Sequence, residues 1–333
     1  MKPLVLFSAA CLFASLSLAA DGPSAPGAAA GSTAAAKARA TQPPPTLANV
    51  AYGTHPREVL DFWQAKSDQP TPLVLNIHGG GWVAGDKSRV PDLERYLAAG
   101  ISVVSINYRY ITQAIEAGVM PPVKWPLEDA ARALQFVRSK AHTWNLDPVR
   151  IAATGSSAGA CSSLYLDFHA DMADPASRDP VARESTRLWC TAVHTAQTSL
   201  DPKQMVEWTP NSRYGGHAFG FMAAPDDPDK SPQAEFARFL AGREKVLPWI
   251  RQYSPIEHVT ADDPPVYLYY PAPPALGQPA PDPTHTANFG VKLQEKARSV
   301  GVDCELVYPG APDVKYPQIA DYLIARLKAP SKN

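Results

Sequence analysis

Arg150-Ile151-Ala152-Ala153-Thr154-Gly155-Ser156-Ser157-Ala158-Gly159 is a β-prone run that breaks at small residues into a stretch of helical composition, Ala158–Phe168. That order puts a serine on a strand-to-helix turn. Such a turn lifts the hydroxyl clear of a sheet and demands small flanking residues, because strand and helix backbones approach closely there. Gly155 and Gly159 fill those flanks, and the register centres the turn on Ser157 rather than Ser156. Ala158 then opens the helix with a free backbone N–H. Upstream, His78-Gly79-Gly80-Gly81-Trp82 follows the apolar run Leu73–Ile77. Without a Cβ, Gly79 and Gly80 can present N–H groups to a substrate oxygen. With Ala158 they would form an oxyanion hole, each donor contributing on the order of 3 kcal/mol to a tetrahedral intermediate.

Outward from these two turns the chain alternates strand and helix. Arg57–Trp63 alternates like an edge strand, and Leu73–Ile77 and Ile101–Tyr108 read as buried strands. Leu127, Ala130, Ala131, Leu134 and Val137 share a helical face. Cys190–Ala196, Val266–Tyr270 and Cys304–Tyr308 are further β-rich runs. Helix faces follow at Phe289, Leu293, Ala297 and Val300, and at Ile319, Tyr322, Leu323 and Leu327. This predicts an α/β fold with a mainly parallel sheet, whose ligands sit at the carboxyl ends of the strands, where both glycine motifs fall. Residues 201–254 interrupt the alternation with aromatics such as Trp208, Tyr214 and Phe239, and read as a cap insertion in one domain spanning 47–330.

The 333 residues are 45% hydrophobic and 19% charged, with a formal net charge of -1. That suits one sizeable core and gives no argument for a nucleic-acid partner or an anionic membrane surface. A charge-free run from Leu4 to Leu18, ending in small residues, predicts a signal peptide over 1–20 cleaved after Ala19 or Ala20, and thus a secreted or periplasmic protein. The run is shorter than the roughly 20 residues a membrane span needs, so no span is expected after cleavage. Residues 21–46, rich in Ala, Pro, Gly and Ser, read as a disordered linker. Cys161, Cys190 and Cys304 fall on core elements and are expected as buried free thiols. No metal-ligand spacing is present, and the glycines at 79–81 lack what a nucleotide loop requires, so no cofactor is expected.

From about Asn49 to Leu327 the chain resembles the α/β-hydrolase superfamily, in particular hormone-sensitive-lipase-type esterases and their acetylxylan- and feruloyl-esterase-like relatives. The resemblance is carried by the two glycine motifs, by Asn107-Tyr108-Arg109, and by Asp263-Pro264-Pro265-Val266. It implies an α/β-hydrolase fold with Ser157 as nucleophile, an aspartate after the penultimate strand and a histidine after the last one. The chain departs from that pattern. Tyr308-Pro309-Gly310-Ala311-Pro312-Asp313 carries no histidine, and none follows His285 anywhere. The loop Asp282-Pro283-Thr284-His285 puts Asp282 where the family's acid falls, with His285 three residues on.

Three arrangements are open. In the first, acid and base have exchanged loops, so that His285 is the base and Asp313 orients it. In the second, His285 is the base and Asp282 or Asp201 orients it. In the third, the base is lost. Triad geometry, not chain order, is what the chemistry requires. His217, in the cap, is a second base candidate; His78 is expected to hold the glycine loop, and His194 to lie in the core. The reading is a secreted serine esterase for small or carbohydrate-linked carboxylic esters. The alternative is a catalytically silent ligand-binding protein, and a peptidase is a weaker third.

Overall fold

The computed structural model describes residues 42–224 and 226–329. The expected signal peptide and nearly all of the linker lie outside those residues. The strands are β1 (Leu47–Ala51), β2 (Val59–Trp63), β3 (Thr71–Ile77), β4 (Ser102–Ile106), β5 (Leu146–Ser156), β6 (Cys190–His194), β7 (Val266–Tyr269) and β8 (Cys304–Val307). They form one eight-stranded sheet in the order β1-β2-β4-β3-β5-β6-β7-β8. β2 runs antiparallel to β1 and β4, and every pairing from β4 through β8 is parallel.

β2 corrects the edge-strand expectation, because it is paired on both sides and β1 is the edge. β1 carries no apolar alternation, being exposed at Leu47, Ala48, Asn49 and Ala51, so nothing in its pattern marked it as a strand. All seven residues of β3 are buried, as a central strand covered on both faces requires.

The period-two alternation of the strands divides the core in two. On one face Leu73, Leu75 and Ile77 pack with Leu127 and Leu134 of helix α3 (Lys124–Ser139), Leu164 of α4 (Ala158–Phe168) and Leu293 of α7 (Asn288–Val300). On the other face Val74, Val103 and Ala152 meet Leu93 and Tyr96 of α1 (Leu93–Ala98) and Tyr322, Leu323 and Leu327 of α8 (Ile319–Lys328). The short α2 (Ile111–Glu116) precedes α3.

Between β6 and β7 lie α5 (Pro202–Trp208), a turn of 3-10 helix at Gly216–Phe219 and α6 (Pro232–Tyr253). Phe219 and Phe239 stack there at 5.5 Å and are buried. Asp201 caps α5, accepting a bond of 2.8 Å from the Lys203 N–H, and Ser231 caps α6 in the same way through Ala234. All three cysteines in the described residues are free thiols, and burial pushes each of them up from its ordinary value.

The β5–α4 junction is the tightest point of the fold. A Cβ built on Gly155 would lie 2.6 Å from the Ile77 carbonyl oxygen, and one on Gly159 would lie 2.1 Å from it. Both contacts are to backbone, so neither can be relieved by a rotamer change. Gly159→Ala is therefore expected to lower stability by about 2 kcal/mol or more. Urea unfolding of the purified protein checks this, and a midpoint equal to wild type would contradict it.

Candidate active site

Ser157 sits between β5 and α4 with φ 53 and ψ -123, a conformation that is strained for any residue with a Cβ. Its N–H donates to the His194 carbonyl at 3.1 Å, and its carbonyl accepts from Cys161 at 2.9 Å, which hold the turn from both sides. The result is a partly exposed hydroxyl at the head of a buried helix.

The Ser157 hydroxyl lies 2.9 Å from Nε2 of His285. On the other side of the ring, His285 Nδ1 donates to Asp282 Oδ2 at 2.7 Å. A carboxylate only accepts, so this bond fixes the proton on Nδ1 and leaves Nε2 free to take one. The three side chains thus form a continuous relay from carboxylate to hydroxyl.

Asp282 and His285 come from one short turn. The His285 N–H bonds the Asp282 carbonyl at 3.3 Å, and the Thr284 N–H bonds Asp282 Oδ1 at 3.2 Å. The turn is pinned from outside by three amides that sequence reasoning missed. Gln197 donates to the Thr284 carbonyl at 2.7 Å. Asn211 makes paired bonds to the backbone of Ala280 at 2.8 and 2.9 Å. Asn288 links Ala275 to Trp208 and Thr209. Nothing in the local pattern marks these amides, because each acts on a segment far away in sequence.

Asp313, expected at the imidazole in the exchanged arrangement, is elsewhere. It occupies an exposed turn after β8 with φ 51, and the imidazole is already satisfied by Asp282. The loop path decides this: a carboxylate three residues away on the same turn needs no second loop to reach the ring. Asp201 is also excluded from the imidazole, since its carboxylate is held by Arg243 at 2.7 and 2.6 Å and caps α5.

The glycine loop stands beside the serine. No acceptor among the described residues is bonded to the N–H of Gly79 or Gly80, which leaves both donors open. A Cβ on Gly79 would meet the Ser156 carbonyl oxygen at 2.7 Å, and one on Gly80 would meet that of Ala84 at 2.2 Å; Gly80 also has φ +106. The loop is braced from several directions. His78 Nδ1 donates to the Gly79 carbonyl at 2.7 Å, and its ring stacks on Tyr108 at 4.3 Å. The Tyr108 hydroxyl donates to the His78 carbonyl at 2.9 Å. Arg109, next along, grips the buried Asp129 through its guanidinium and backbone N–H. Trp82 is fully buried and donates from Nε1 to Ser162 Oγ at 3.0 Å. That ring anchors the loop to α4 and belongs to the core.

His217 is bonded to the glycine loop, whereas Ser157 is bonded to His285. The His217 Nε2 donates to the Gly81 carbonyl at 3.1 Å, with Tyr214 edge-on at 4.8 Å. His194 ends β6 half-exposed and tilts against Tyr269 at 5.2 Å. Burial first, and the His285 charge second, hold its imidazole below the ordinary value. No group of His, Cys, Asp and Glu among the described residues could hold a metal ion. No helix among them is long and apolar enough to cross a membrane.

Burial brings His78 and His217 down to about 4 from the usual 6.5. The unfolded chain therefore binds protons at these rings at a higher pH than the folded one. Their contribution to stability is complete above about pH 6.5 and is lost as pH falls toward 4. Urea midpoints should decline across that window, and His217→Gln should decline less steeply than wild type. Parallel slopes for the two proteins would contradict the assignment.

Comparison with known proteins identifies the family and the fold. The model of the BD-FAE family matches residues 60–271, more than half of the chain. Gut esterase 1 of Caenorhabditis elegans is 30% identical over 154 residues, covering 44% of this chain and 27% of that protein. The chain spans less than half the length of the curated relatives it matches. Among solved structures, a truncated carbohydrate esterase from gut microbiota superposes with a TM-score of 0.60 at 19% identity, over 85% of this chain and 96% of that one. The acetyl ester-xyloside bifunctional hydrolase of Caldicellulosiruptor lactoaceticus gives 0.54 at 22% identity, over 75% and 76%. These two likenesses are of fold.

Proposed function

Because the chain belongs to the BD-FAE family and has the α/β-hydrolase fold, we propose that it is an exported serine esterase acting on small or carbohydrate-linked carboxylic esters. The observation that carries this reading is the relay of 2.9 Å from Ser157 to His285 and 2.7 Å from His285 to Asp282. The rival, a silent binder, requires that no imidazole reach the serine, and the first of these distances weighs against it.

In the proposed reaction His285 Nε2 takes the Ser157 proton as Oγ attacks the ester carbonyl. The oxygen of the tetrahedral intermediate lies against the N–H groups of Gly79, Gly80 and Ala158. His285 then gives its proton to the leaving alcohol, and the acyl group remains on Oγ. Water, deprotonated by the same nitrogen, attacks the acyl-enzyme and regenerates the serine. Asp282 holds the Nδ1 tautomer and supports the imidazolium that forms in each half. No cofactor takes part in this scheme. Relatives named as esterases, the gut esterase of Caenorhabditis elegans among them, support the reaction class.

Kinetics on a short-chain aryl ester test the roles. Ser157→Ala and His285→Ala should each lower kcat by at least about 10³-fold, because members of such a relay act as a unit. Asp282→Asn should cost less, about 10²-fold, by releasing the ring's orientation. Asp313→Asn should stay within about two-fold of wild type, since a surface side chain away from the relay contributes little. Loss in Asp313→Asn with retention in Asp282→Asn would reverse the assignment.

Export is tested separately. Protein recovered from its native host should carry a mature N-terminus near Ala20 or Asp21 by mass spectrometry. An intact Met1 in a cytosolic fraction would remove this part of the proposal.

A further inference from the structure

The segment that leaves β6, His194–Thr198, is bonded to both partners of the relay. On one side the His194 carbonyl accepts the Ser157 N–H at 3.1 Å. On the other, the next four residues bond the stretch that carries Asp282 and His285 at its start, its middle and its end. Where that stretch leaves β7, the Thr195 N–H donates to the Tyr269 carbonyl and the Tyr270 hydroxyl donates to the Ala196 carbonyl, each at 2.8 Å. Near its middle the Gln197 amide donates to the Thr284 carbonyl at 2.7 Å, one residue before the imidazole. At its end the Thr198 hydroxyl donates to the Phe289 carbonyl at 2.8 Å, in the first turn of α7.

We propose that Gln197 is the positioning residue of His285: through the Thr284 carbonyl it sets the imidazole within reach of Ser157. The inference rests on the esterase reading and adds what fixes the distance between base and nucleophile. Three observations carry it.

The first is the peptide that Gln197 grips. The Thr284 carbonyl and the His285 N–H are two ends of one planar unit. Gln197 takes the carbonyl end, and the Asp282 carbonyl takes the N–H end at 3.3 Å. The second of these bonds is long and internal to the turn. The first is short and ties the turn to the end of β6, the same strand end that receives the Ser157 N–H. The ring hangs from the Cα next to this peptide, so tilting the peptide would move Nε2 relative to Ser157.

The second is an unpaired oxygen. Gln197 is fully buried, yet its Oε1 has no hydrogen-bond partner among the described residues. Its nitrogen faces the Thr284 and Thr195 carbonyls at 2.7 and 3.4 Å. Carbonyls only accept, so the amide cannot turn over to satisfy the oxygen without losing its donor. A buried acceptor left unpaired is destabilising. A methionine would fill similar space without that cost, but it would supply no donor to Thr284.

The third is strain at the bend. Thr195 has φ 53, a conformation rare for a β-branched residue. Such strain persists where the surroundings over-determine it, and it clusters at working sites. Here the bend separates the His194 carbonyl, on Ser157, from the Gln197 amide, on Thr284. Its hydroxyl also lies 3.0 Å from His194 Nδ1.

Gln197→Met tests the role, since it keeps the volume and removes the donor. On a short-chain aryl ester kcat should fall about 10-fold or more with KM within about two-fold, because misplacing a reacting group by about 1 Å can cost up to about 10²-fold. The second readout is the proton between His285 and Asp282. In wild type it should give a low-field 1H NMR resonance that is absent in His285→Ala, and Gln197→Met should broaden or lose it. The third is coupling. Gln197→Met combined with Asp282→Asn should cost clearly less than the product of the two single losses, since both act through one ring. A side chain that only filled the core would lower the urea midpoint and leave kcat and the resonance unchanged. That result, or losses that multiply, overturns the proposal. If Gln197→Met does not fold, Gln197→Asn takes its place with the same expectations, because its amide is one methylene too short to reach Thr284. If folded wild type turns over no aryl ester, the esterase reading fails and the resonance decides alone. Its loss in the Gln197 variant then sustains the positioning role, and its persistence there, or its absence from wild type, overturns it.

Discussion

The site depends on one contact between backbones, the approach of β3 and the first turn of α4 around the Ile77 carbonyl. Two glycines make that approach feasible, since a Cβ at either would fall within 2.6 Å of the Ile77 oxygen. From it follow the positive φ of Ser157, the hydroxyl raised above the sheet, and the open end of a buried helix beside the glycine loop. The loop itself enters from the end of β3, so the same contact sets the Ser157 turn and the N–H groups of Gly79 and Gly80 at a fixed spacing. Their relation is a property of the central sheet, the most buried part of the molecule.

Around that centre the protein separates rigid from local functions. The glycine loop is held by His78 and Trp82 at its own two ends and by Tyr108 and His217 from two other segments, all largely out of water. Hydrogen bonds in such surroundings are costly to leave unmade, which keeps the donors aimed before substrate arrives. The turn that meets Ser157 is arranged differently. Asp282 and His285 share one turn, and the Asp282 side chain is 61% exposed, so its charge is screened by solvent. Orientation of the ring, rather than a strong buried field, is what this carboxylate supplies.

The imidazole that meets Ser157 comes from the loop after β7. The loop after β8 lies against Tyr267, whose hydroxyl donates to the Tyr316 carbonyl at 2.8 Å. The cap packs Tyr214 and His217 against Trp82 on its side of the glycine loop.

The sequence by itself determined most of the strand and helix order, the Ser157 turn and the glycines beside it, and it narrowed the histidines near the serine to His285 and His217 without deciding between them or excluding loss of the base. These are short-range matters: residue period, glycine placement and the lack of any later histidine. Only the tertiary structure decided that Asp282 and not Asp313 meets the imidazole, that His217 braces Gly81, and that Trp82 belongs to the core. It alone also revealed β1 as the edge strand and Gln197, Asn211 and Asn288 as the pins of the catalytic turn. The physical reason is common to all of these. Each depends on where a loop runs in space and on which distant backbone group it meets, and the spacing of residues along the chain carries no record of that path.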